Sequence, residues 1–342
     1  MSAGSGDVSD VTIVGGGPTG LFAAFYAGLR GMRVRIIDSL ELLGGQLTTL
    51  YPDKIIYDVA GFPAILAKTL VAELIRQMTA YGPTVVLGEQ VLRLTRREDG
   101  FLLLDTDRGG HPSRSVVIAA GAGAFAPKRL PGVHLDGYEG RGVSYFVRDL
   151  ADWRGRRVLI IGGGDSAVDW SLNLLRVTED ITTIHRAADF RAHEDSVAKL
   201  RASPVRLLTF HELKAVHGRD RVEAATIYDS RTREEKFLEV DEVLISIGFS
   251  TSLGPIREWG LNLDKNGIVV TSRMETSMAG VFAAGDVASY PGKLKLIVTG
   301  FGEAATAVNH AKAFIDPASK SFPGHSSALV PKQRKEVADG GR

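Results

Sequence analysis

Residues 11–24 read "VTIVGGGPTGLFAA", and this stretch decides the fold of the first part of the chain. Its apolar opening predicts a short buried strand, and Gly15, Gly17 and Gly20 then stand at the spacing G-x-G-x-x-G. The next residues predict a helix that Gly31 closes. Glycines between a strand and a helix let a pyrophosphate approach bare backbone amides at the helix N-terminus. We therefore predict a dinucleotide-binding turn, against the alternative that the glycines serve only close helix–strand packing.

A second strand, "RVRIID", is predicted to end at Asp38, which follows Gly15 by 23 residues. A carboxylate at this place can accept hydrogen bonds from the 2′-hydroxyl of an adenosine ribose. The combination of strand, glycine turn, helix, strand and terminal acid is far more specific than a glycine triplet alone.

The chain repeats this unit at "RRVLIIGGGDSAVDW", residues 156–170. A strand again leads into a glycine turn, and an alanine takes the third glycine place, which the motif permits. The turn and the start of the predicted helix supply the candidate nucleotide-binding residues Gly162, Gly164, Asp165, Ser166 and Ala167.

The acid of the first unit has no counterpart in the second. Counting 23 residues from Gly162 leads to His185 at the end of "ITTIH", with Arg186 beside it and Arg191 close by. An acid at this place would repel a 2′-phosphate, whereas a basic cluster attracts one. We therefore predict FAD in the first unit and NADP in the second. The alternative is that the two arginines form only a solvated basic face.

Composition excludes several classes of site. The 342 residues are 44% hydrophobic and 24% charged, with a formal net charge of +1 and no cysteine. These values predict a globular protein without a general attraction to nucleic acid. Without thiols there is no disulfide, thiolate nucleophile or iron–sulfur ligand, and no metal site is expected. The first ten residues do not resemble a signal peptide, and no apolar run approaches the ~20 residues that span a bilayer. We expect a cytoplasmic protein that does not bind membranes.

The predicted fold is α/β, with two Rossmann-like three-layer nucleotide-binding domains. Residues 115–122 and 241–249 each read as a buried strand followed by glycine, where the chain can pass between domains. The NADP domain, 119–248, is therefore predicted as an insertion in an FAD domain built from 1–118 and 249–342. Asp286 follows a short apolar strand in "VFAAGDV", where it could bind a ribityl hydroxyl, and a helix is predicted from about 302 to 314.

Over nearly its whole length the chain resembles the pyridine nucleotide-disulfide oxidoreductases of the thioredoxin reductase type. The matching stretches are "VGGGPTG", "GGQL", "GVSY", "GGGDSAVD", "HRAADFRAHE" and "VFAAGDV". Thioredoxin reductases carry a redox CxxC directly after "GVSY", where this chain has Phe146 and Asp149 in the two cysteine places. A relay of electrons to a dithiol substrate is therefore excluded on chemical grounds.

Within that superfamily, "GGQLTTLYPDKIIYDVAGFP", "FRAHEDS" and "PGHSS" are similar to the ferredoxin–NADP reductases built on the thioredoxin reductase fold. The resemblance implies a homodimeric flavoenzyme that transfers electrons between NADPH and ferredoxin or flavodoxin. A hydride would pass to flavin N5 and electrons would leave singly, with no acid–base residue required. The family pattern implies FAD contacts from Thr19, Asp38, Gln46, Tyr51, Val91, Phe125, Asp286 and either Ser326 or Ser327, with His325 stacked on the flavin ring.

Two other functions stay open at this point. One is an NADPH-dependent diaphorase that reduces quinones or free flavin without a protein partner, and the other is a non-enzymatic FAD-binding redox sensor. Because ferredoxins are acidic, a docking face should be locally basic. The candidate basic segments are 127–129, 154–157, Lys293, Lys295 and 331–335.

Overall fold

The computed structural model describes residues 8–135, 137–147, 149–265, 267–320 and 324–325, with only the backbone of 124–126, 250 and 251. The chain divides into two compact units. The first contains Met1–Thr49, Ile55–Ala124 and Thr251–Arg342, and the second contains Leu50–Lys54 and Phe125–Ser250.

Six α-helices occur in the described residues: α1 (Pro18–Leu29), α2 (Gln46–Thr49), α3 (Ala67–Thr79), α4 (Asp165–Leu174), α5 (Glu194–Ala202) and α6 (Ile297–Ile315). The same residues contain three short 3₁₀ helices, each between two strands, at Leu150–Trp153, Gly254–Glu258 and Gly285–Val287. Helix α1 begins with Pro18, whose fixed φ suits a first helical position and whose missing N–H costs nothing there.

The strands are, in chain order, β1 (Val11–Val14), β2 (Val34–Asp38), β3 (Ile55–Ile56), β4 (Ile65–Leu66), β5 (Thr84–Leu87), β6 (Val91–Arg96), β7 (Leu102–Thr106), β8 (Gly110–Ser113), β9 (Val116–Ile118), β10 (Ala124–Pro127), β11 (Val143–Ser144), β12 (Val158–Ile161), β13 (Ile181–His185), β14 (Arg206–Thr209), β15 (His211–His217), β16 (Ala224–Asp229), β17 (Glu235–Glu239), β18 (Glu242–Ile245), β19 (Phe249–Ser252), β20 (Leu263–Asp264), β21 (Gly267–Val269), β22 (Val281–Ala283) and β23 (Ala288–Ser289).

The first unit is built on a parallel five-stranded sheet in the order β22-β9-β1-β2-β5. All four residues of β1 are buried, as a strand covered on both faces must be. Helix α1 packs against β1, β2, α3 and α6. Strands β6, β7 and β8 form a separate antiparallel sheet of the same unit.

The second unit repeats this plan with a parallel sheet in the order β11-β18-β12-β13-β14. Alternate residues of β12 face two different cores. Leu159 and Ile161 pack with the antiparallel sheet β15-β16-β17, and Val158 and Ile160 pack with α4 and α5. The unit therefore has three layers, with the parallel sheet in the middle.

The chain passes between the units at β10 and β19, which pair as a two-stranded sheet. The predicted α/β architecture, with one Rossmann-like domain inserted in another, is confirmed. The predicted start of the last helix near 302 was wrong, because α6 begins at Ile297. The run of β-branched residues before 302 favours a strand locally, but the first turn is helical where Gly300 packs closely on Thr19.

Candidate nucleotide-binding sites

The first glycine turn has the backbone geometry that a pyrophosphate site requires. Gly15 has a φ of +109°, and a Cβ there would lie 2.4 Å from the Ala119 carbonyl oxygen. A Cβ on Gly20 would lie 1.9 Å from the Gly15 carbonyl oxygen, so the helix can approach the strand only because position 20 is glycine. A Cβ on Gly17 would meet nothing within 4 Å. The turn is therefore tight on its protein side and open where a ligand would approach.

Asp38 is held in place as a hydrogen-bond acceptor beside this turn. Its Oδ2 accepts the Gly16 N–H at 2.5 Å and its Oδ1 accepts the Leu40 N–H at 2.8 Å. The side chain is buried, and this burial raises the pKa of Asp38, while the two backbone hydrogen bonds act in the opposite direction. Each oxygen keeps a lone pair that can accept from a ribose hydroxyl.

Glu89, which the sequence did not single out, is buried next to Asp38 and pairs with His111. The Glu89 N–H donates to the Asp38 carbonyl oxygen at 3.0 Å, and the Glu89 carboxylate accepts from the Thr106 hydroxyl and from His111 Nε2 at 2.6 Å. Burial raises the pKa of Glu89, but the hydrogen bonds from Thr106 and His111 outweigh it and leave the pKa below its usual value. Val91 begins β6 just beyond Glu89 and is buried.

Asp286 and Thr19 lie at a second point of close approach in the first unit. Asp286 is half-buried in a 3₁₀ turn that begins at Gly285, whose φ is +80°. A Cβ on Gly285 would lie 2.8 Å from Thr19 Oγ1, and one on Gly300 would lie 2.3 Å from the same atom. The start of α1, the Asp286 turn and the start of α6 are therefore in contact, as a shared cofactor site would require.

The second glycine turn repeats the first. Gly162 has a φ of +154°, and a Cβ there would lie 2.2 Å from the Ser246 carbonyl oxygen and 2.9 Å from the Ala167 Cβ. A Cβ on Gly164 would meet nothing within 4 Å. Asp165 and Ser166 follow at the exposed start of α4. Both turns therefore leave free space at the second glycine of the G-x-G pattern, Gly17 in the first unit and Gly164 in the second.

The loop that follows β13 folds back onto this turn. The Arg191 N–H donates to the Gly163 carbonyl oxygen at 2.6 Å, and Asp165 Oδ1 accepts the His193 N–H at 2.9 Å. The His185 ring packs on Gly163, where a Cβ would lie 2.2 Å from Cε1, and stacks on Phe190 at 5.2 Å between ring centroids. Two hydrogen bonds therefore tie the loop to the glycine turn and to the first residue of α4, and the His185 ring at the end of β13 packs on the same turn.

Arg186 and Arg191 are both exposed, and neither forms an ion pair with another described residue. Burial lowers the pKa of His185, as do the charges of the two arginines, although His185 Nε2 donates to the Asp189 carbonyl oxygen at 3.1 Å. The lowered pKa of His185 disfavours its charged form, whereas Arg186 and Arg191 keep their positive charge.

The remaining predicted FAD residues are dispersed or lie outside the described structure. Gln46 begins α2, and its Nε2 would be 3.8 Å from a Cβ on Gly121. Tyr51 belongs to the short segment Leu50–Lys54 of the second unit, where Lys54 lies 5.7 Å from its ring centroid and 2.7 Å from Asp169. Phe125 lies in β10, with only its backbone described, and His325 is exposed. Ser326 and Ser327 lie outside the described residues.

Two of the basic residues in the candidate docking segments, Lys293 and Arg157, form ion pairs within the protein. The prediction that Lys293 belongs to a docking surface was wrong, because its side chain is only 8% exposed and forms an ion pair with Glu303. Arg157 forms ion pairs with Asp241 and Glu239, which hold its pKa above the usual value. Lys295 is exposed, and 331–335 lie outside the described residues.

The described structure also bears on membrane and metal sites. Within residues 8–325, apart from the gaps stated above, no helix has the length and apolar character to cross a bilayer. In the same residues, no group of three or more His, Asp or Glu side chains is arranged to hold a metal ion.

Sequence and structure comparisons agree with this arrangement. Residues 9–311 match the family model for pyridine nucleotide-disulphide oxidoreductases. A ferredoxin–NADP reductase 2 of Shouchella clausii is 52% identical over 94% of this chain and 98% of its own length. A ferredoxin–NADP reductase of Thermus thermophilus is 51% identical over 94% of this chain and 97% of its own length.

Solved structures of thioredoxin reductases have the same fold. The enzyme from T. acidophilum superposes with a TM-score of 0.77 and 28% identity over 92% of this chain and all of its own. The enzyme from Lactococcus lactis gives a TM-score of 0.76 at 25% identity, over 90% of this chain and 99% of its own. The chain therefore belongs to the pyridine nucleotide-disulphide oxidoreductase family and, within it, to the ferredoxin–NADP reductases.

Proposed function

We propose that this protein is a flavoenzyme that transfers electrons between NADPH and ferredoxin or flavodoxin through FAD. The observation that carries the proposal is a pair of matching glycine turns, whose neighbouring strand ends in an acid in the first unit and in a histidine followed by an arginine in the second. Asp38 accepts the Gly16 N–H in the first turn, and His185 with Arg186 replaces that acid in the second.

The first unit fits FAD. Gly17 leaves room for a pyrophosphate, and Asp38 offers acceptors for a ribose diol. Asp286 lies in a 3₁₀ turn of the same unit, and we propose that it binds a hydroxyl of the ribityl chain. FAD supplies the ability to accept two electrons together and to release them singly. The protein contributes binding and orientation, and no side chain has to transfer a proton.

The second unit fits NADPH. Gly164 is open to a pyrophosphate, and Arg186 and Arg191 are exposed without a partner carboxylate among the described residues. A guanidinium can bind a phosphate in a bidentate manner, and a hydrogen bond to a charged group contributes about 1.5–3 kcal/mol. The loop that carries both arginines is already ordered by its bonds to Gly163 and Asp165, so little ordering cost opposes binding.

The absence of cysteine argues against a disulfide as the acceptor. The chain contains no thiol that could relay electrons to a disulfide, so its acceptor differs from that of the thioredoxin reductases it resembles. The names of the relatives support ferredoxin as the acceptor. We propose a homodimer on the same resemblance, and sedimentation at twice the chain mass of 36.7 kDa would test it.

Steady-state turnover tests the proposed function. NADPH oxidation is measured with ferredoxin and cytochrome c, and separately with a quinone alone. We expect cytochrome c reduction to depend on ferredoxin. Rapid NADPH oxidation with quinone, together with cytochrome c reduction that added ferredoxin does not increase, would instead identify a diaphorase. A yellow protein whose colour NADPH does not bleach would identify a non-enzymatic FAD-binding protein.

A further inference from the structure

A buried ion pair lies behind the turn that carries Asp286. The Glu303 side chain is 5% exposed and that of Lys293 is 8% exposed, and the two form an ion pair. Glu303 lies on the buried stripe of α6, among glycine and alanine residues. A buried ion pair contributes little net stability, because removing two charges from water costs about as much as their attraction returns.

The Glu303 carboxylate joins three segments of the first unit. Its Oε2 accepts the Gly285 N–H at 2.7 Å, and its Oε1 accepts the Tyr290 hydroxyl at 2.5 Å and the Lys293 ammonium. Burial and the neighbouring Glu303 carboxylate raise the pKa of Tyr290 to about 12, so this hydroxyl stays a donor. All of these donors converge on one side chain of α6.

The bond to Gly285 fixes the start of the Asp286 turn. Gly285 has a positive φ of +80°, and its Cα lies so close to Thr19 that a Cβ would be 2.8 Å from Thr19 Oγ1. The Gly285 N–H is buried, and a buried N–H without a hydrogen-bond partner is costly, so the bond to Glu303 favours this conformation of the turn. Glu303 therefore holds the segment that presents Asp286.

We propose that Glu303 is a positioning residue for FAD, acting through the Gly285 N–H to place Asp286, and that Lys293 neutralises its buried charge. This inference rests on the proposed assignment of FAD to the first unit. It assigns to Lys293 and Glu303 a role in cofactor binding and removes Lys293 from any surface that meets a partner protein.

The test compares two variants that are both neutral and similar in volume. Lys293→Met/Glu303→Gln keeps a carbonyl oxygen that can accept the Gly285 N–H, whereas Lys293→Met/Glu303→Leu removes it. The FAD dissociation constant of each apoprotein is measured by quenching of flavin fluorescence, with visible circular dichroism of the bound flavin as a second readout. Glu73→Gln is the control, because Glu73 forms an exposed ion pair with Arg76 in the same unit.

We expect the leucine variant to bind FAD at least about tenfold more weakly than the glutamine variant, corresponding to about 1.4 kcal/mol. A merely structural ion pair would affect both double variants equally, so equal affinities would overturn the proposal. Should the leucine variant fail to fold, hydrogen exchange of the wild-type apoprotein decides the question. The Gly285 amide should be protected before FAD is added, and rapid exchange would overturn the proposal.

Failure of this inference is distinguishable from failure of the proposed function. A wild-type protein that binds FAD but does not reduce ferredoxin would contradict the function and leave the role of Glu303 in place. A wild type that is active with ferredoxin, combined with equal FAD affinities of the two double variants, would contradict only the inference.

Discussion

At the scale of single residues, one register position separates the two nucleotide sites. Asp38 and His185 end corresponding strands, and each packs against the middle glycine of its turn, Gly16 or Gly163. The carboxylate is an acceptor for a free ribose hydroxyl, and the histidine with its neighbouring arginines is compatible with a phosphate. Because the two glycine turns are alike, we expect side-chain charge to determine which nucleotide binds at each place.

The arginines should determine the preference for NADPH. We expect Arg186→Ala and Arg191→Ala each to raise the KM for NADPH about tenfold, since each removes a charge-assisted contact to the 2′-phosphate. NADH lacks that phosphate, and its KM should change little. Arg176→Ala, at another exposed arginine of the second unit, is the control in the same steady-state assay. Equal losses with both nucleotides would mean that the arginines support the fold or the pyrophosphate.

Asp38 should make FAD binding dependent on pH. Its pKa is raised above the ordinary 3.8 by burial, so it takes up a proton at a higher pH than an exposed aspartate. We expect FAD affinity to fall as the pH is lowered through this pKa, because a protonated carboxyl loses acceptor capacity. The stability of the apoprotein should change with pH in the opposite direction. Because the pKa of Asp38 is higher in the folded state, its stabilising contribution is fully present below the unfolded pKa and is lost as pH rises through the folded pKa.

Titrations of the apoprotein with FAD from about pH 4 to about pH 7 measure this dependence. Asp38→Asn should bind FAD more weakly at neutral pH and should lose the pH dependence. If the variant kept the wild-type pH profile, another group would be responsible.

At the scale of elements, the sequence did not predict the conformation of the loop between β13 and α5, which carries the arginines of the proposed NADP site. Sequence spacing located Arg186 and Arg191, but the bonds that order them involve backbone groups at Gly163 and His193. Such pairings between distant segments leave no periodic pattern. The same holds for Glu303, although its place on the small-residue stripe Gly300, Ala304, Ala307 and Ala311 of α6 is a signal that could have found it.

Asp165 gives a test of that loop. We expect Asp165→Ala to raise the KM for NADPH about two- to tenfold, because a hydrogen bond that orders the arginine loop contributes about 0.5–1.5 kcal/mol. Asp165→Asn keeps an oxygen that can accept the His193 N–H and should stay close to the wild type. The KM values for NADPH and NADH are measured by steady-state kinetics, and an equal KM for NADPH in Asp165→Ala and Asp165→Asn would contradict this account.

At the scale of the whole molecule, the architecture could be predicted from two repeated βα units. In each unit the spacing of the glycines and of the next strand end follows from backbone sterics and from the burial of both strands. The same logic leads to the prediction, still to be tested, that two of these strand ends carry nucleotide-binding groups. It failed at Lys293, since a lysine in a polar-looking segment gives no sign that a carboxylate from α6 lies against it. It also gave no sign that Leu50–Lys54, with Tyr51, groups with the second unit.

The absence of cysteine predicts how the protein responds to thiol reagents. With no thiol in the chain, prior treatment with an alkylating agent should leave the rate of ferredoxin-dependent NADPH oxidation unchanged. Thioredoxin should not be reduced, because no dithiol is present to exchange with its disulfide. Measuring both rates on one purified sample checks the prediction, and substantial thioredoxin turnover by a contaminant-free sample would refute it.

The central claim is that one thiol-free chain binds two different dinucleotides and passes electrons from NADPH to a one-electron protein acceptor. An anaerobic titration followed by flavin absorbance tests it most directly. We predict that NADPH bleaches the yellow protein, that NADH does so with lower affinity, and that oxidised ferredoxin then restores the colour whereas oxidised thioredoxin does not. Bleaching by NADPH that ferredoxin and flavodoxin both fail to reverse would contradict the account.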